Sequence, residues 1–177
     1  DYSEQSSADT AALKSAMLAT AEEGFKAFLA DRNREGRAIA DVIAGQIDRV
    51  EALVEDARVA VGDRETATRQ AMERAVARLL DVGEMPDESR LVQELALIAV
   101  KNDVTEEIDR LGAHIAAARE LLLQDGAVGR KFDFLMQEFN REANTLCSKA
   151  QFNELTRVGL DLKHVIDQMR EQVQNVE

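Results

Sequence analysis

Gly129-Arg-Lys-Phe-Asp-Phe-Leu-Met-Gln-Glu-Phe-Asn-Arg-Glu-Ala-Asn-Thr-Leu-Cys-Ser-Lys-Ala150 decides how the chain is read. Its apolar residues Phe132, Leu135, Phe139, Ala143, Leu146 and Ala150 recur at steps of three and four, the period of one buried helix face. At about 100° per residue, Glu138, Glu142, Thr145 and Lys149 fall on one flank of that stripe. Asp133, Gln137, Asn140 and Asn144 fall on the other, and Arg141 points away from it. Surface helix positions usually hold Lys, Glu, Arg or Ala, because Asn, Thr and Ser compete with the helical backbone for hydrogen bonds. Asn140, Asn144, Thr145 and Ser148 in one helix therefore point to a task other than helix stability.

Composition sets the class around this helix. One Pro, nine Gly, no Trp and one Tyr in 177 residues suit an all-α protein, since strand-rich domains carry more aromatic residues and turn formers. The net charge of -12 favours solubility and opposes a nonspecific grip on nucleic acid, DNA included, which needs clustered Lys and Arg. Any RNA partner has to overcome that field. One cysteine, Cys147 beside the apolar stripe, makes no internal disulfide and reads as a buried thiol in a reducing compartment. No apolar run approaches the roughly 18 to 20 residues of a membrane span, and the expected location is cytoplasmic. The opening Asp-Tyr-Ser-Glu-Gln-Ser-Ser has no initiating Met and resembles an interdomain linker, so the chain reads as a piece of something longer.

Outward from the central helix, three segments are expected: a linker at 1–8, a long helical arm at 9–86 and a C-terminal helical domain at 87–177. Asp9 or Thr10 is a plausible first cap. Leu13, Met17, Ala21, Phe25, Phe28 and Leu29 hold a helical period to about residue 31, and Ile39, Ile43, Ile47, Val50, Val54, Ala57 and Val61 resemble a heptad seam. The charged patch 32–37 reads as a bend or as solvated helix. Gly62-Asp63 is a candidate interruption, so 38–81 reads as one rod or two helices. Pro86 marks a hinge. Leu91, Leu95, Ile98, Val104, Ile108, Leu111, Ile115, Ala118 and Leu122 give a further seam, phase-shifted near Asn102-Asp103 and closed at Gly126. Leu155, Val158, Leu162, Val165, Ile166, Met169 and Val173 form the last helix. Five or six helices joined by short loops predict an elongated antiparallel bundle with long coiled-coil-like helices.

Phosphate-binding Gly loops, paired-His zinc helices and paired-Cys ligand sets are absent, so any ligand set would be carboxylate and amide, which suits Mg²⁺ or Mn²⁺. Glu138 and Glu142 stand one turn apart, the spacing by which a helix presents two carboxylates to one ion, although chance yields such pairs often. With Val104, Ile108, Leu111 and Ile115 buried, Asp103, Glu107 and His114 share one border of their helix and Arg110 lies just beyond. A simple Glu107–Arg110 pair and a boundary histidine satisfied by one hydrogen bond explain the same pattern. His164 reads as a surface residue.

Four stretches together carry a resemblance: Arg90-Leu-Val-Gln-Glu-Leu-Ala-Leu, Asp103-Val-Thr-Glu-Glu-Ile-Asp-Arg-Leu-Gly-Ala-His114, the segment 128–150, and Ile166-Asp-Gln-Met-Arg-Glu-Gln-Val-Gln-Asn-Val-Glu177. In order, spacing and terminus they resemble the C-terminal half of the YicC/YloC family of bacterial stress-induced proteins. The resemblance implies a divalent-metal-dependent endoribonuclease of single-stranded RNA, at work in RNA turnover, that assembles into homo-oligomers such as hexamers and carries an N-terminal domain ahead of Asp1. On that footing Glu107, His114, Glu138 and Glu142 are expected to be catalytic, and Asp103, Glu107, Glu138 and Glu142 to hold Mg²⁺ or Mn²⁺. His114 would move protons near neutral pH. Arg110, Arg141, Asn140 and Asn144 would hold RNA phosphate. The competing expectation is a non-catalytic oligomerisation scaffold, in which the same amides lock helix packing.

Overall fold

The computed structural model describes residues 2–82, 103–124 and 126–174, and every element among them is an α-helix. We number them α1 (Tyr2–Val82), α2 (Thr105–Leu122), α3 (Gly129–Lys149) and α4 (Asn153–Val173). The Pro86 hinge and the seam residues Leu91, Leu95 and Ile98 lie outside the described residues.

The long early segment is one helix. α1 begins at Tyr2, ahead of the expected cap at Asp9 or Thr10, and passes Gly36 and Gly62 without a break. Extending a helix already nucleated costs far less than starting another, and a lone Gly costs only about 1 kcal/mol relative to Ala. Thr66 returns its hydroxyl to the Gly62 carbonyl at 3.0 Å, which satisfies an acceptor next to the weak point.

The chain divides into two units, Asp1–Asp41 and Val42–Glu177. In the first, Leu13, Met17, Phe25 and Phe28 share a helical face yet stay 55% to 64% exposed. The charged patch beyond them is solvated helix, with Arg34 and Asp31 paired at 3.0 Å. In the second unit the pattern reverses. Ile43, Ile47, Val50, Val54 and Ala57 of the expected seam are buried on one side of α1, joined by Leu53, while Ile39 and Val61 are only half-buried.

α2, α3 and α4 pack in sequence, α2 on α3 and α3 on α4. Their connections are short, so consecutive helices run antiparallel. Asp103 Oδ1 accepts the Thr105 N–H at 2.9 Å and starts α2 by satisfying one of its unpaired donors. Glu106 and Glu107 in its first turn complement the helix dipole. Its end is closed by Leu123 and Gln124, whose N–H groups reach the Glu120 and Leu121 carbonyls at 3.2 Å. Gly126 follows with φ +94, a conformation that an L side chain resists. Between α3 and α4 the backbone is extended at Ala150 and Phe152, and α4 restarts when Thr156 donates its N–H to the Phe152 carbonyl at 3.1 Å.

The core of the second unit is the sum of these stripes. Phe132, Met136, Phe139 and Leu146 from α3 are buried with Leu111 and Ile115 from α2 and Leu162, Ile166 and Met169 from α4. Each such side chain contributes about 1.5–3 kcal/mol by leaving water. Polar ties join α1 to the rest of the unit: Arg119 donates to Asp48 at 2.8 Å and to Glu51 at 2.7 and 3.0 Å, and Arg58 pairs with Asp109 at 3.3 Å. The Arg64 guanidinium lies 5.8 Å from the centre of the Phe152 ring.

Candidate active site

Antiparallel packing brings the border of α2 against the Glu138 flank of α3. Running along that seam, three groups meet: ligand atoms of His114, Glu138 and Glu142 all lie within 4.8 Å of one another. Glu138 and Glu142 are one turn apart on α3, and His114 reaches them from α2. The imidazole stands edge-on to Phe139, with ring centroids 5.5 Å apart and planes at 65°.

The surroundings make the cluster unusual for a plain surface. Glu142 is only 3% exposed, and His114 Nε2 is buried with no hydrogen-bond partner among the described residues. His114 is half-buried, a boundary residue as expected, but its Nε2 has no hydrogen bond among the described residues, and an unpaired buried nitrogen costs about 1–3 kcal/mol. Arg110 donates to Glu142 Oε1 at 3.4 Å and to Glu106 Oε1 at 2.5 Å. Glu106 and then Glu142 hold the Arg110 guanidinium above its usual range. Arg141 lies 4.0 Å from Glu138 Oε2.

Two of the expected ligands are engaged elsewhere. Glu107 is 5% exposed, and its Oε1 accepts from Lys149 Nζ at 2.8 Å while its Oε2 is buried without a partner among the described residues. Lys149 also donates to the Asp103 carbonyl at 2.9 Å. Asp103 caps Thr105, and that backbone hydrogen bond, with the Thr105 hydroxyl and nearby Lys149, holds its carboxyl below the usual range. The fold therefore groups His114 with Glu138 and Glu142, and leaves Asp103 and Glu107 outside the group. The reason is register: Glu107 sits two turns before His114 on α2, opposite the far end of α3, where Lys149 arrives. Lys149 shares the Glu138 flank in the sequence, so its pairing with a border carboxylate of α2 was legible in principle.

Asn140 and Asn144 part from the carboxylates as their flank requires. Asn140 donates to Asp167 of α4 at 3.2 Å. Together with Gln137, Arg141 and Arg170, the two Asn line an open polar groove on the other side of α3. Arg141 belongs to both surfaces, touching Glu138 on one and bordering the groove on the other. Thr145 and Ser148 spend their hydroxyls on the Arg141 and Thr145 carbonyls, a local bond that needs no ligand. His164 is exposed, as expected.

Two carboxylates and an imidazole can bind a divalent cation, and His114 Nε2 has no hydrogen-bond partner among the described residues. The donor chemistry favours an ion that accepts nitrogen, Mn²⁺ ahead of Mg²⁺, which prefers oxygen and water. No helix among the described residues is long and apolar enough to cross a membrane.

Comparison with known proteins adds the following. The family described as endoribonuclease YicC-like, C-terminal, matches residues 57–177. The chain is 37% identical over 169 residues to the probable endoribonuclease YicC of Haemophilus influenzae, an alignment covering 96% of the chain and 58% of that relative. It is 36% identical over 146 residues to the probable endoribonuclease YicC of Clostridioides difficile, covering 82% of the chain and 50% of the relative. The chain thus spans between half and three-fifths of the length of these curated relatives.

Proposed function

The chain belongs to the YicC-like endoribonuclease family, and from that premise we propose that its helices α2 and α3 carry the cutting site of a divalent-metal-dependent enzyme acting on single-stranded RNA. One observation carries the reading: His114, Glu138 and Glu142, from two helices, converge within 4.8 Å with the imidazole Nε2 left unpaired. A cation held there would supply Lewis-acid polarisation of the scissile phosphodiester and a water that is easier to deprotonate. Glu138, Glu142 and His114 would hold it, with the imidazole packed against the Phe139 ring. In this arrangement His114 is a ligand rather than the proton carrier expected from sequence. Arg110 and Arg141 flank the cluster and supply planar donors for phosphate oxygens. Single-strandedness fits the groove beyond Arg141, where Asn140, Asn144 and Gln137 offer amides that match unpaired base edges.

Replacing Glu142 with Gln tests the site. Mn²⁺-dependent cleavage of a labelled single-stranded RNA is expected to fall on the order of 100-fold or more, with the unfolding midpoint nearly unchanged because the amide still fits the buried space. Undiminished cleavage would exclude Glu142 from the site.

A second reading concerns assembly. The exposed face of Leu13, Met17, Phe25 and Phe28 favours a role for the Asp1–Asp41 unit in joining copies of the chain. Sedimentation of the chain with and without residues 1–41 tests it: equal mass per particle in both would remove the role.

A further inference from the structure

We infer that Arg110 and Arg141 are exchange partners of the divalent cation: each neutralises one carboxylate of the cluster until the ion takes both, and the two released guanidiniums then hold the RNA phosphate. The inference rests on the cation reading given above.

Each carboxylate of the cluster has its own arginine. Arg110 faces Glu142 at 3.4 Å from α2, and Arg141 faces Glu138 at 4.0 Å from α3. Both distances are long for charge-assisted pairs, which favour about 2.7–2.9 Å, so neither arginine is locked. Their side chains are 49% and 70% exposed and have room to swing outward. Arg110 already has another resting place, since Glu106 one turn earlier holds its other guanidinium nitrogen.

Charge counting gives the consequence. With Glu106, which also holds Arg110, three carboxylates and two guanidiniums sum to -1, so without an ion the cluster repels RNA. A dication raises the sum to +1 and pushes both arginines away from Glu138 and Glu142. Against the net charge of -12 on these residues, that local change of sign favours a polyanion at the cluster. Binding of ion and RNA is therefore coupled, and linkage makes the coupling reciprocal.

The test compares wild type, the double variant Arg110→Gln/Arg141→Gln, and Glu142→Gln. Mn²⁺ affinity is read by titration calorimetry. RNA affinity is read by anisotropy of a labelled single-stranded RNA, in the cold, with Mn²⁺ or with chelator, the RNA being checked for intactness on a gel. Removing two repelling charges is expected to tighten Mn²⁺ binding by roughly threefold to tenfold. In the same variant the gain in RNA affinity that Mn²⁺ gives wild type is expected to disappear. Loss of two arginines that merely braced the helices would not tighten Mn²⁺ binding. Mn²⁺ binding unchanged or weakened in the double variant, or a Mn²⁺-induced gain that survives there, overturns the exchange. Wild type and Glu142→Gln binding Mn²⁺ alike would instead remove the cation from the cluster and both readings with it.

Discussion

At the scale of single residues, Glu107 and Lys149 show how burial settles the use of a charge. Burying a carboxylate that is only 5% exposed is costly unless it is paired, and Lys149 provides a partner at 2.8 Å while still 31% exposed itself. Breaking a fully buried pair costs about 3–5 kcal/mol. Because Lys149 keeps contact with water, Lys149→Met is expected to cost less, about 2 kcal/mol, read as a lower urea midpoint at constant slope. Adding Glu107→Leu should restore most of the loss, because the unpaired charge then disappears. A double variant no more stable than Lys149→Met would show that Glu107 does not depend on this partner. From sequence, Glu107 and His114 looked equivalent on one border of α2. What separates them is only which residue of α3 stands opposite.

Among elements, α3 and α4 meet closely at Gly159. A Cβ placed there would lie 2.5 Å from Cys147 Sγ and 3.2 Å from Leu146 Cδ2, so the glycine is what lets the two helices meet at this depth. Gly159→Ala is expected to destabilise by about 1–3 kcal/mol through overpacking. Because the nearest atom is the sulfur, Cys147→Ala in the same chain should recover part of the cost, a coupling that a double-mutant cycle measures in thermal unfolding. Additive effects would place the strain on α3 backbone and Leu146 instead. The same packing explains the thiol: burial pushes Cys147 above its ordinary range, with Lys163 opposing weakly. The thiol expected to be buried is half-buried, against Gly159 of α4. Nothing in the apolar period announced the partner, since a glycine inside a helix signals close approach only once the facing helix is known.

For the whole molecule, the burial pattern divides at residue 41. Val42–Glu177 holds all the buried apolar residues of the described chain, while Leu13, Met17, Phe25 and Phe28 in Asp1–Asp41 stay open to solvent. A fragment of residues 42–177 is therefore expected to keep the unfolding midpoint of residues 1–177 within a few degrees, seen by calorimetry. A large drop in midpoint would mean that residues 1–41 contribute to the core. Sequence alone determined the all-α class, the buried faces of α2, α3 and α4, and the carboxylate pair Glu138 and Glu142, because a helix's period and flanks are fixed within one segment by 3.6 residues per turn. It also carried the family likeness. It left open whether residues 38–81 broke in two, and it assigned Asp103 and Glu107 to the cation. Tertiary structure decided which border residues met: the antiparallel register of α2 on α3 set His114 beside Glu138 and Glu142 and gave Glu107 to Lys149. Register depends on how two complete faces interlock, and no spacing within either helix contains it.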